Sequence, residues 1–293
     1  MGNTLWNIVL AAGAGKRLSS VTGGIPKQFW SADGGSTLLE DTLDRSAKLT
    51  PTDRTVVIVD RSHTRYIAAL PQIARDCRVV YQPSDRGTAV GVLLGLIEVV
   101  SADPDAVVLL LPSDHGIRNL RAFVTGVRRA TLEVRSSRSH VVLFGVAPSS
   151  ADDEYGWITP HDGAVARLFR AVATFVEKPA PVVARQLFEA GAVWNTMVLV
   201  GRATALLSLY RRHLPELADA FVPALGLLPV ERTNYFASLY DQLPVADFSH
   251  DVLSRADGLT LYSWPATLGW SDLGTPDRLN RWDMTHHTLH QAS

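Results

Sequence analysis

The sequence is short of everything that staples, extends or anchors a chain. One of its 293 residues is cysteine, so an internal disulfide and a cysteine-built metal site are both excluded. That residue, Cys77, stands between Asp76 and Arg78 at the edge of a strand pattern and reads as structural. There is no excess of positive charge: Lys+Arg 28 against Asp+Glu 29 gives a net charge of −1, which leaves no general field to collect nucleic acid or an anionic membrane. Any phosphate binding must therefore be local. Long apolar runs are missing too, since Val107 to Pro112 and Val198 to Val200 fall far below the roughly 18 residues that span a bilayer. The first residues, Met1 to Trp6, lack the basic stretch and apolar core of a signal peptide, and Trp6 replaces the Ser/Thr of a myristoylation motif. The expected address is the cytoplasm, with no membrane and no nucleic-acid partner. Pro (16) and Gly (21) are too few for collagen or a long linker, and no repeat of fixed period occurs.

What is present is an apolar content of 46% in short β-branched runs that alternate with longer amphipathic stretches. The runs Asn7 to Ala12, Thr55 to Asp60, Arg78 to Gln82, Ala106 to Leu111, Val141 to Val146, Ala173 to Glu177, Met197 to Gly201 and Leu259 to Trp264 predict strands. Thr88 to Val100, Leu120 to Val134, Val182 to Ala190, Ala203 to His213 and Glu231 to Tyr240 predict helices. The alternation implies an α/β fold with a mostly parallel mixed sheet covered on both faces, with ligands at the carboxyl ends of the strands. A single domain over 1–293 is expected, with a nucleotide-binding part near 1–135, a second part near 136–280 and a loose tail at 281–293. The tail carries His286, His287 and His290, which read as a polar terminus in preference to a metal site.

The most informative segment is Leu10-Ala11-Ala12-Gly13-Ala14-Gly15-Lys16-Arg17-Leu18, followed by Pro26-Lys27-Gln28. A dinucleotide fingerprint would need glycine where Leu18 stands, and Asp33 lies in a Gly-rich turn where that fingerprint needs a strand end. A Walker loop would need Ser or Thr where Arg17 follows Lys16. A tight glycine turn whose backbone N–H groups cradle a triphosphate remains, with Arg17 and Lys27 supplying charge for a pyrophosphate leaving group; a bare surface turn is its structural alternative.

These residues carry a resemblance. Gly13 to Leu18 with Pro26-Lys27-Gln28-Phe29 is similar to the signature of sugar-1-phosphate nucleotidyltransferases, most of all the bacterial mannose-1-phosphate guanylyltransferases. Gln82 to Ala89 resembles that family's second nucleotide loop, Leu111 to His115 its metal-binding strand end, and Phe175 to Pro179 its sugar-phosphate clamp. Trp194-Asn195-Thr196 and Gly269 to Gly274 complete the order, and Tyr155 to Ile158 resembles a sugar-proximal glycine loop. The resemblance implies a Rossmann-like three-layer nucleotidyltransferase fold and transfer of GMP from GTP to mannose 1-phosphate, with pyrophosphate released. Another base, another sugar or a cyclitol phosphate, and a non-catalytic nucleotide-sugar sensor are the competing outcomes, and a homodimer is left open. It also implies roles: Arg17, Lys27 and Lys178 as catalytic cations; Ala11, Ala12, Gly13, Gly15, Gln82, Asp85, Gly87 and Thr88 around the nucleotide; Gly156, Glu177, Lys178 and Asn195 around the sugar phosphate; Asp114 and Asp272 on Mg²⁺. Asp85 could accept both guanine N–H donors, unless it pairs with Arg86. Asp114 and Asp272 are 272 − 114 = 158 residues apart, so only the fold can unite them.

Two departures accompany the likeness. The first loop reads Ala11-Ala12-Gly13 where many guanylyltransferases carry a second glycine, and the block Asp247 to Ser254 matches too loosely to give His250 or Asp251 a role. Chains of that family often continue into a β-helix or cupin-like extension, whereas nineteen residues follow Gly274 here, so a catalytic domain with little appended is expected.

Overall fold

A computed structural model describes residues 4–31, 34–136, 140–161 and 167–282. His286, His287 and His290 lie outside the described residues, as does Asp33. The strands are β1 (Leu5–Ala11), β2 (Thr55–Asp60), β3 (Arg78–Gln82), β4 (Val107–Pro112), β5 (Gly116–Ile117), β6 (Val141–Val146), β7 (Gly156–Pro160), β8 (Phe169–Glu177), β9 (Val193–Arg202), β10 (Thr260–Ser263) and β11 (Trp270–Ser271). Nine of them form one sheet in the order β3-β2-β1-β4-β9-β6-β10-β8-β7, and β5 with β11 forms a small antiparallel pair. The β3-β2-β1-β4 half is parallel, as is β6 with β10. β9 enters between β4 and β6 antiparallel to both, and β7 and β8 close the far edge antiparallel.

The continuous β-branched runs form strands because both sheet faces are covered. Alternate residues face opposite ways along a strand. Ile8, Ile58, Val108 and Leu110 accordingly join the core beneath the helix Thr88–Ala102, while Val9, Val57, Val59 and Leu109 join the core beneath Leu120–Arg135. Thr88–Ala102 is buried around almost its whole circumference, whereas Leu120–Arg135 keeps a polar face and starts at Asn119, whose side chain accepts from Ala122 N at 3.0 Å.

Several elements escape the sequence reading, among them β5, β7, β11 and the helices Leu38–Ala47, Thr64–Ala68, Pro71–Asp76 and Pro215–Phe221, and two of them bear on the site. The helix Leu38–Ala47 begins with a capping box in which Thr37 Oγ1 accepts from Glu40 N at 3.2 Å and Glu40 accepts from Thr37 N at 2.8 Å. Its Thr-x-x-Glu signature is plain in the sequence. β7 starts at Gly156, expected as a loop. That glycine pairs with Glu177 across the β7–β8 ladder, and a Cβ there would land on the Glu177 carboxylate.

Candidate active site

The carboxyl ends of β1 and β4 open into a cavity of about 360 Å³ lined by Ala12, Gly13, Gln28, Gln82, Asp85, Gly87, Thr88, Asp114, His115, Met197 and Asp247, among others. Six residues expected at the nucleotide line it, namely Ala12, Gly13, Gln82, Asp85, Gly87 and Thr88, and Asp114, expected at the metal, makes a seventh. Ala11 is the last residue of β1, behind the wall.

The first loop is fixed from below by a residue that received no role from the sequence. Gln28, buried in the turn Lys27–Phe29, donates to the carbonyls of Ala11 at 2.7 Å and Gly13 at 2.9 Å. Gly15 adopts φ 63°, and a Cβ there would stand 2.8 Å from Lys27 N, so the loop packs against the Pro26-Lys27 backbone with no room for a side chain. At Gly13 a Cβ would meet nothing within 4 Å, which leaves the loop open toward the cavity.

The second loop is built the same way. Asp85 accepts from Gly87 N at 2.9 Å, while Arg86 turns to the Asp241 carbonyl at 3.1 Å, so the Asp85–Arg86 pair does not form. Gly87 has φ 85°, and a Cβ would land on the Ala246 carbonyl oxygen. Ala246 also accepts from Ala89 N and donates to the Arg86 carbonyl, each at 3.0 Å. Thr88 donates to Asp247 Oδ2 at 3.0 Å and accepts from Phe248 N at 2.8 Å. Residues 246–248 are thus zipped onto the loop, which is how Asp247 reaches the cavity. No role was expected for Asp247, and the loose match of its block concealed it.

Lys27 ties the two ends of the chain together. Its side chain is buried, with Nζ 3.1 Å from Asp114 Oδ2 and donating to the backbone carbonyl of Asp272. Burial pushes the Asp114 carboxyl up, but the Lys27 ammonium and His115 more than offset that, so it lies below the usual carboxylate range. Burial also drives His115 down to about 4; as a neutral ring its Nδ1 accepts from Trp270 Nε1 at 3.3 Å. The Asp272 carboxylate goes elsewhere: Oδ1 accepts from Tyr155 Oη at 2.9 Å and Gly274 N at 3.2 Å, and Oδ2 pairs with Arg278 Nη1 at 2.9 Å. It lines neither this cavity nor its larger neighbour.

The sugar-side residues form an adjoining group. Glu177 is largely buried next to Gly156, and its carboxyl is pushed up to about 7 by burial and by Asp247, against the pull of Lys178 and His250. Asn195 Oδ1 accepts from Met197 N at 3.1 Å, and Met197 holds φ 57°, a left-handed conformation that β-bulge geometry imposes where β9 slips register against β6. That kink brings Met197 onto the cavity wall. Trp194 stacks on Tyr155 with ring centroids 4.3 Å apart, and both line the larger neighbouring cavity. Two expected cations stand apart: Arg17 is exposed and pairs with Glu154 at 3.6 Å, and Lys178 is exposed with Nζ 3.9 Å from Glu177.

Whether the carboxylates suit a divalent cation is decided by their free coordination. Mg²⁺ is typically held by one or two carboxylates together with substrate phosphate oxygens. Asp114 fits, being ionised and on the cavity wall with one oxygen on Lys27. Asp272 presents its carbonyl, not its carboxylate, to that centre.

The nucleotidyl transferase family model matches residues 6–289, which covers both loops, the Lys27–Asp114 pair and the Asp272 turn. The chain belongs to the nucleotidyl transferase family. Among curated relatives, the mannose-1-phosphate guanylyltransferase RfbM of Salmonella typhimurium is 28% identical over 95% of this chain and 58% of its own length. The alginate biosynthesis protein AlgA of Pseudomonas fluorescens is 30% identical over 91% of this chain and 56% of its own. This nucleotidyl transferase therefore spans less than three-fifths of such relatives. Among solved structures, the mannose-1-phosphate geranyltransferase of Thermus thermophilus superposes with a TM-score of 0.80 at 29% identity, covering 92% of this chain and 76% of that one. The inositol-1-phosphate CTP transferase of T. maritima, at TM-score 0.60 and 18% identity, covers 96% of this chain and 93% of its own and shares the nucleotidyl transferase fold alone. Among the described residues, no helix is long and apolar enough to cross a membrane.

Proposed function

We propose that this nucleotidyl transferase joins GMP from GTP to mannose 1-phosphate: a phosphate oxygen of the sugar phosphate attacks the α-phosphorus, and the bond to pyrophosphate breaks. The observation that carries this reading is the convergence, on one cavity at the ends of β1 and β4, of two glycine-shaped loops and a buried lysine–carboxylate pair. Its support is the likeness to RfbM over nearly the whole chain.

In such a transfer the charge sits on the phosphates, and catalysis is mainly positioning and neutralisation. The backbone of residues 12–15 would cradle the triphosphate, held in shape by Gln28. Lys27 places a positive charge beside Asp114 at the reacting end. Asp85, not tied to Arg86, is available to the guanine N–H donors. Glu177 and Asn195 would accept from and donate to hexose hydroxyls, with Gly156 letting the ring approach. Lys178 would meet the sugar phosphate, and Arg17 would have to leave Glu154 to reach the pyrophosphate. Mg²⁺ is the proposed cofactor, held by Asp114 and substrate phosphates, and when bound it neutralises developing phosphate charge.

The test is pyrophosphate release with Mg²⁺ across a grid of nucleoside triphosphates and sugar 1-phosphates. GTP with mannose 1-phosphate should give the highest kcat/KM; a different best pair would revise the substrates, and silence everywhere would leave a binding protein.

Glu177 supplies a pH signature. Because its carboxyl titrates near 7, it is increasingly ionised as pH rises from about 6 to about 8 and becomes a better acceptor for hydroxyls. KM for the sugar phosphate should fall several-fold across that interval in the wild type, relative to Glu177→Gln, whose profile retains only the titration of the substrate. Parallel profiles would remove Glu177 from the sugar contacts.

A further inference from the structure

The first loop begins where the sheet stops supporting it. β1 pairs with β2 as far as Ala11 and with β4 as far as Leu10, so beyond that point its buried backbone groups need side-chain partners. Gln28 commits both protons of its amide there, one to the Ala11 carbonyl and one to that of Gly13. A second side chain reaches the same place from another element. His63 is buried in the turn after β2, with Nδ1 3.5 Å from Gln28 Nε2. Gln28 has no proton left to give it, so the imidazole is itself a donor at this point, and its acceptor is the Ala11 carbonyl.

The ring is aimed by its surroundings. Asp60 accepts from Ser62 N at 2.8 Å and from Ser62 Oγ at 2.6 Å, which closes the turn that carries His63. Phe29 stands edge-on to the imidazole at 5.4 Å and Tyr66 at 6.2 Å, and these two rings stack on each other at 5.0 Å. Burial lowers the His63 pKa from its ordinary value, against the pull of Asp60 and of the Ala11 carbonyl. At neutral pH the ring therefore carries one proton, and the contact with Ala11 puts it on Nδ1. His63 is absent from the cavity wall, so any effect on a ligand must pass through the backbone it holds.

We propose that His63 is a positioning residue for the nucleotide: its Nδ1–H, with the Gln28 amide, fixes the Ala11 carbonyl and so holds the backbone of residues 12–15 in the shape that receives the triphosphate. This deepens the reading of that loop as a triphosphate cradle and rests on it. The loop is open toward the cavity at Gly13, and a glycine-containing backbone has much freedom to lose when a ligand orders it. Holding it in place beforehand lowers that cost, which is paid again at each binding event if the donor is missing.

The test separates the donor from the ring. His63→Phe keeps an aromatic ring of similar size and removes the donor, whereas His63→Asn loses the ring but places an amide N–H near the position of Nδ1. In calorimetric titrations of the whole protein, His63→Phe should weaken GTP binding about fivefold, the range of one hydrogen bond, with affinity for the sugar phosphate within about twofold. His63→Asn should recover most of that loss although its thermal stability is lower. Hydrogen exchange in the unliganded protein reads the same device without a ligand: amides in the 10–18 segment should exchange at least threefold faster in His63→Phe and return toward wild type in His63→Asn. His63→Leu replaces His63→Phe if the phenyl ring prevents folding. Undiminished GTP binding and unchanged exchange in a folded donorless variant would overturn the proposal, as would a His63→Asn protein as impaired as His63→Phe, since the ring and not its N–H would then be what matters. Should the wild type bind no nucleoside triphosphate, the parent reading fails, and the exchange measurement still decides whether His63 holds the loop.

Discussion

Lys27→Ala should reduce turnover by about three orders of magnitude, the range in which removal of one preorganised charge-stabilising group falls, about 3–4 kcal/mol. The lysine sits where the chain converges, between Asp114 and the Asp272 carbonyl, and its side chain is 7% exposed. Its removal also leaves Asp114 with a carboxylate that has lost its cation, so a stability loss should accompany the kinetic one. The two effects are separable. Lys27→Ala/Asp114→Asn removes the stranded charge and should recover part of the stability while gaining no turnover. Rapid kinetics and thermal unfolding on the single and double variants beside the wild type decide it. A Lys27→Ala enzyme within tenfold of wild type would place the charge stabilisation elsewhere.

Gly87→Ala should be strongly destabilising. The residue holds φ 85°, and the added methyl would land on the Ala246 carbonyl, which is backbone and cannot rotate away. Left-handed strain contributes about 1–3 kcal/mol, and the collision adds to it, so a loss of about 3 kcal/mol is expected, on the order of 6–12 °C in a chain of this size. The functional effect should be directional. The clash unzips 246–248 from the 86–89 loop, so the affinity for the nucleoside triphosphate should fall more than that for the sugar phosphate. Calorimetry gives the first quantity and ligand titrations the second. Equal losses for both ligands would show that the zipper does not belong to the nucleotide side.

Much of this was legible in the residues. β2, β3, β6 and the helix Ala203–His213 coincide with the stretches expected from the sequence, because short β-branched runs and amphipathic helices leave a compositional or periodic trace. Two kinds of information were not. One is pairing at long range: the identity of Asp272 suggests a metal ligand, but only the fold reveals which way its carboxylate turns, captured by Arg278 and by Tyr155 from far back in the chain. The other is support from behind. Gln28 acts through two backbone carbonyls and Asp247 arrives on a segment held by Gly87 and Thr88, neither of which leaves a periodic or compositional trace. Arg17 marks the opposite limit. Its place in the loop signature suggests a catalytic cation, yet its guanidinium lies in solvent against Glu154. A sequence reports which charges exist; their direction is set by neighbours that stand far away along the chain.

The contact between Lys27 and the Asp272 carbonyl bridges 245 positions of the chain, and the strand pair β5–β11 that delivers Asp272 is only two residues long on each side. Contacts of such sequence separation form late, since their loop-closure entropy is offset only after the intervening sheet exists. The centre therefore serves as a clasp fastened after the rest of the molecule is in place. On refolding from denaturant, recovery of catalysis should trail recovery of the sheet, and the lag between the two measures how long the last short strand takes to find its partner.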